Sequence, residues 1–143
     1  MNTLAAFEII GIPTPKGSKT RMPNGALVEG SSTAGRERRR TWGTAVTDAA
    51  RAVADDEPYD GNLAVTVAFR FPMPASRPRW MKTIGEHPKT TKPDIDKIVR
   101  ELLDGFTAAG LIRDDARIFH IDAAKFEVVG WTGAEVTLRR WEA

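Results

Sequence analysis

The stretch Pro93–Asp115 reads PDIDKIVRELLDGFTAAGLIRDD, and its spacing sets the expectations for the rest of the chain. Ile95, Ile98, Val99, Leu102, Leu103 and Phe106 recur at steps of three and four, which predicts a helix with one apolar stripe against a core. Pro93 suits the entrance of that helix, Asp94 its N-cap and Gly110 its exit. Asp96, Arg100 and Asp104 follow at four-residue steps along a polar edge. At about 100° per residue, Asp94 and Asp96 diverge if both lie inside the helix. They aim at one point only if Asp94 sits at or before the first turn. Asp114 and Asp115 lie beyond the helix, where a returning chain would bring them back to that point. Carboxylates gathered in this way repel one another unless a cation joins them. Hard oxygen ligands with no cysteine nearby favour Mg²⁺ or Mn²⁺ over zinc. The same residues also read as a plain helix cap and an Asp-rich turn without chemistry.

The span Lys92–Lys125 resembles the core of the RusA-like Holliday junction resolvases, crossover-junction endodeoxyribonucleases common in phages and prophages. That family shows a PDxDN-type entry and a basic residue four positions after the second Asp. A D-A/G-hydrophobic-T/N segment follows, then a DD pair before a strand ending in Lys. The matching residues are Pro93-Asp94-Ile95-Asp96, Arg100, Asp104-Gly105-Phe106-Thr107, Asp114-Asp115 and Lys125, at matching spacing. Lys97 stands where the family usually has Asn, and Arg100 where it usually has Lys; Arg keeps the charge but not the compact ammonium. The resemblance implies a metal held by Asp94, Asp96 and Asp115, with Asp114 beside them. It implies Mg²⁺ as cofactor, with Mn²⁺ as a substitute. It further implies catalysis by Asp94, Asp96, Asp115 and Arg100, branched four-way DNA as substrate, and a homodimer making paired cuts.

The chain has 143 residues, and one domain spanning 1–143 is expected. Its composition is that of an ordinary globular protein. There is no cysteine, which excludes disulfides, thiolate nucleophiles and Cys-rich zinc sites, and the two histidines stand apart. No long apolar run or signal-peptide pattern is present, so a soluble, cytoplasmic protein of a bacterial cell, with no membrane partner, is expected. A net charge of +2 is too mild to name a partner, and the placement of charge says more.

Phe7–Pro13 reads as a first strand, and Asn24-Gly25 as a hairpin turn inside a Gly-, Pro- and Lys-rich stretch. Pro15-Lys16-Gly17 lacks the GxxxxGKS/T spacing, so nucleoside triphosphate binding is not expected. Residues 36–55 read as a helix whose apolar stripe is Trp42, Val46, Ala49, Ala50 and Val53. Its first turns gather Arg38, Arg39 and Arg40 at the end where a helix dipole disfavours cations, which suits an anionic backbone. Leu63–Phe71 alternates strictly and predicts a strand with one buried face. Between Phe71 and Pro93 runs a Pro-rich basic segment, read as a mobile DNA-contacting loop, with Arg77, Arg79, Lys82, Lys89 and Lys92 around Trp80. Lys97 and Lys125 extend this candidate DNA surface, although Lys125 equally suits a sheet edge. Strands are expected after Asp115 and over Ala134–Trp141. The fold class is therefore α/β (α+β): two main helices packed on one small mixed sheet.

The function expected is a Mg²⁺-dependent endodeoxyribonuclease resolving four-way DNA junctions in recombination and repair. Two other classes fit some of the same features: a branched-DNA-binding protein that keeps the fold without the activity, and a Mg²⁺-dependent phosphohydrolase of small nucleotides.

Overall fold

In the computed structural model of the chain, residues 1–15, 19–21, 27–29 and 33–142 are described, with side chains described for 1–15 and 41–142. The chain runs β1 (Asn2–Ile10), β2 (Lys19–Arg21), β3 (Leu27–Glu29), α1 (Thr33–Val53), β4 (Leu63–Pro72), α2 (Arg79–Ile84), β5 (Glu86–Pro88), α3 (Ile95–Ala108), a 3₁₀ turn (Asp115–Arg117), β6 (Ile118–Val128) and β7 (Gly133–Arg140). Five strands form a mixed sheet in the order β1-β7-β4-β6-β5, with β4 parallel to β6 and the other neighbours antiparallel. β2 and β3 form a separate antiparallel hairpin, as Asn24-Gly25 suggests, although that turn lies outside the described residues. No helix among the described residues is long and apolar enough to cross a membrane.

The alternation of β4 is the reason for the layer arrangement. Leu63, Val65, Val67, Phe69 and Phe71 are all buried on one face, while Thr66, Ala68 and Arg70 on the other are half-buried. Its buried face continues through Val136 and Leu138 of β7 and Ala5 and Ile9 of β1. Trp42, Val46 and Ala50 of α1 and Ile98, Leu102, Leu103 and Phe106 of α3 cover this surface. Both helical stripes match the sequence periodicity except at Ile95, which lies in the first turn of α3 and is exposed beyond the edge of the core.

Three boundaries differ from expectation. β1 begins at Asn2 because Asn2 through Ile10 find ladder partners along β7, and it stops before Pro13. The segment between Phe71 and Pro93 is not a loop throughout: it contains α2 and the edge strand β5. α1 starts at Thr33 and ends at Val53.

α3 ends in a reciprocal cap. Gly110, at φ 76°, donates its N–H to the Thr107 carbonyl, and Leu111 donates to that of Phe106. This pairing requires a left-handed residue, which glycine adopts at little cost. Leu111 and Ile112 then enter the core, where Tyr59 N–H bonds the Leu111 carbonyl at 2.9 Å and Arg113 N–H the Tyr59 carbonyl at 2.9 Å.

Gly105 marks the close approach of α3 to α1. A methyl group there would lie 2.5 Å from Val46 Cγ1. Replacing a helical glycine with alanine ordinarily gains about 1 kcal/mol; here overpacking costs about 1–3 kcal/mol and wins. Gly105→Ala is expected to lower the urea midpoint. The same substitution made in a Val46→Ala background is expected to raise it relative to that background.

Candidate functional site

Asp94 occupies the N-cap position of α3 in extended conformation, following a cis Lys92–Pro93 peptide, yet its carboxylate makes no capping hydrogen bond. It faces Lys92 Nζ at 3.4 Å and Lys97 Nζ at 3.6 Å instead. Lys92, and behind it Lys97, hold the Asp94 carboxyl below the ordinary carboxylate range, so it is ionised at neutral pH. A plain cap does not describe this side chain. Asp96 follows in the first turn, and Arg100 one turn further on; both are exposed.

Lys125 fixes this end of the helix to the sheet. Its ammonium donates to the carbonyls of Thr91 at 2.8 Å and Pro93 at 2.7 Å. Burial lowers its pKa, as does Lys89 nearby, while Asp94 works against that shift. The sheet-edge reading and the site reading of Lys125 therefore meet in one residue, whose charge sets the turn that carries Asp94.

Asp114 and Asp115 lie elsewhere. Asp115 Oδ1 receives the Thr107 hydroxyl at 2.5 Å, at the C-terminal end of α3. Between Asp96 and Thr107 the helix rises by roughly 16 Å at about 1.5 Å per residue. The insertion of Leu111 and Ile112 into the core holds the pair there; β6 is the segment that returns along the helix, reaching Pro93 only at Lys125. Asp114 Oδ1 accepts the Ala116 N–H at 2.9 Å and caps the 3₁₀ turn, so the turn reading holds for that residue. Among the described residues no three Asp, Glu or His side chains gather in a way that could hold a metal ion. One chain thus offers Asp94 and Asp96 at one end of α3 and Asp115 at the other, and this arrangement does not fit a cation shared by all three.

The basic segment is built on a buried charge that the sequence does not reveal. Glu127, on β6, is 1% exposed and pairs with Arg77 through two hydrogen bonds, Nε at 2.8 Å and Nη2 at 2.7 Å. Arg77 is thereby committed inward. Lys82 Nζ donates to the Ala75 carbonyl at 2.6 Å, and Lys89 stands 5.1 Å from the Phe71 ring centre, so both cations are tied to the scaffold, while Lys92 turns to Asp94 and Arg79 is exposed. The mobile loop expected here is thus replaced by α2 and β5, anchored by Arg77–Glu127 and by ladder bonds to β6. The side chains of Arg38, Arg39 and Arg40 lie outside the described residues.

A family model described as Endodeoxyribonuclease RusA matches residues 13–139, most of the chain. No curated protein matches it.

The Arg77–Glu127 pair has a pH signature. The hydrogen bonds from Arg77 hold the Glu127 carboxyl below its ordinary value of 4.5, against the opposing effect of burial. Its stabilisation is complete above that value and is lost as pH falls through the lower native one. Thermal midpoints of the unsubstituted chain should fall more steeply below about pH 4.5 than those of Glu127→Gln. Arg77→Ala should lower the midpoint at pH 7, and Arg77→Met combined with Glu127→Leu should recover most of the loss, because the unpaired buried carboxylate is what costs stability.

Proposed function

Because the chain belongs to the endodeoxyribonuclease RusA family, we propose that it resolves four-way DNA junctions by paired phosphodiester cuts, at sites that each draw on two copies of the chain. Family membership assigns it Holliday junction nuclease activity. The observation that carries the finer reading is the separation of Asp115 from Asp94 and Asp96 along α3. In an antiparallel pair related by a two-fold axis, the head of one α3 meets the tail of the other.

β6 supports such a pairing. β5 covers β6 only from Phe126 to Val128, and Lys89 N–H reaches the Lys125 carbonyl. From Phe119 to Asp122 the strand is exposed, with no ladder partner on that side among the described residues. A two-fold axis at Ile121 sets Ile118 of one copy opposite Ala124 of the other, next to the lysine that holds Pro93. Asp115 of the second copy then approaches the Asp94 turn. An exposed edge strand is a ready surface for such pairing.

In the reaction, water attacks phosphorus and one P–O ester bond breaks. Asp94, kept ionised by Lys92 and Lys97, and Asp96 present oxygens at the head of α3. With Asp115 of the second copy, and Asp114 beside it, they would hold Mg²⁺, or Mn²⁺ in its place, supplying charge at the scissile phosphate when bound. Arg100, one turn beyond Asp96, neutralises the phosphate, and Lys125 positions the Asp94 turn. Lys92, Lys97, Lys89, Arg79 and Lys82 form the surrounding cationic surface that tracks the DNA backbone. The setting is the cytoplasm of a bacterial cell, where phage or host recombination supplies branched DNA.

Mixing two inactive variants tests the shared site. Asp96→Asn and Asp115→Asn should each fail to cut a synthetic four-way junction in Mg²⁺. After subunit exchange, heterodimers carry one site with both aspartates intact, and nicking should return to about a quarter of the unsubstituted level. Sites contained within single chains would leave the mixture inactive.

A further inference from the structure

The nuclease reading leaves one exposed feature without a role. α2 is six residues long, yet it is fastened on every side. Met81 is buried beneath it, and Gly85 N–H closes its end on the Met81 carbonyl at 3.0 Å. Val129 N–H bonds the Gly85 carbonyl at 3.0 Å, and the Arg77–Glu127 pair holds the turn that leads in. On this fixed support Trp80 is 60% exposed and Ile84 is 68% exposed, at positions four apart that share a helical face. Leaving two large apolar side chains in water forgoes the stabilisation that their burial would bring. An aromatic ring held rigidly also loses little entropy when it meets a flat partner.

The charge of the segment that carries this knob decides what that partner is. Arg79 adjoins Trp80 in the helix, and Lys82, Lys89 and Lys92 follow in residues 79–92 against a single carboxylate, Glu86. A protein surface seated here would need to supply acids for those cations, whereas DNA brings a phosphate at every nucleotide and, wherever strands part, an unstacked base. We infer that α2 is a base-stacking platform: Trp80, backed by Ile84, receives a base unstacked at or beside the branch point, while the exposed Arg79 beside it holds a flanking phosphate. Paired bases of a linear duplex have no free face to offer, so the platform discriminates branched from linear DNA. It rests on the junction-cleaving reading but is independent of how the aspartates are shared.

Binding can be measured with Asp96→Asn as the parent, so that DNA stays uncut, using a four-way junction with 2-aminopurine at the branch point and a linear duplex of equal length. Adding Trp80→Ala should weaken junction binding about tenfold and change duplex binding less than about twofold. It should also reduce the change in 2-aminopurine fluorescence on binding, and Trp80→Phe should restore most of both. Equal junction affinity with and without Trp80 would overturn the inference. So would a loss that is as large on the duplex, or a shift in sedimentation showing that Trp80 joins two chains. If the chain with Trp80 intact shows no preference for branched DNA, the junction reading itself falls, and that failure is visible before any Trp80 variant is made.

Discussion

The covering of the apolar face of β4 by α3 is the constraint from which the rest of the arrangement follows. Five alternating side chains of β4 and four of α3 belong to one close-packed core, and the Val46–Gly105 contact sets how near α3 comes to α1. Once α3 lies there, its head faces the end of β6 that carries Lys125 and its tail faces the start of that strand. The two acidic groups are therefore held apart by a rigid rod. Their separation is a property of the core, not of surface loops.

Electrostatics then work at the margins of that frame. Lys125 secures two carbonyls, Arg77 secures one buried carboxylate, and Lys92 and Lys97 keep Asp94 charged. The first two are short links between elements distant in sequence, and they convert otherwise plain turns into a defined surface. Lys97 places a second ammonium beside Asp94. A cation entering there must displace that contact as well as the one from Lys92.

Periodicity made the two main helices and β4 legible, because burial on one face repeats at intervals that a short window can show. The family was legible in the pattern from Pro93 to Lys125, and the family model matches the chain over residues 13–139. What could not be read was anything decided by a partner far along the chain. Glu127 sits between Phe126 and Val128 and alternates with them as the solvent-facing residue of a strand would, and its burial depends on Arg77, fifty positions away. α2 is too short to show a helical repeat, and its surrounding prolines suggest irregular chain. The distance from Asp96 to Asp115 depended on where Leu111 and Ile112 entered the core, and both lie in a stretch that reads as an ordinary helix exit.

The sheet order has a consequence for synthesis. β7 is the last strand to be made, yet it lies between β1 and β4. Until residues 133–140 emerge from the ribosome, β1 has no neighbour to pair with and one edge of β4 remains open. The core strands therefore cannot close in the order of translation. Assembly waits on a late, long-range pairing, the kind of step that slows folding and leaves apolar edges exposed meanwhile. The sheet that carries α3 is therefore complete only once β7 has paired on both sides.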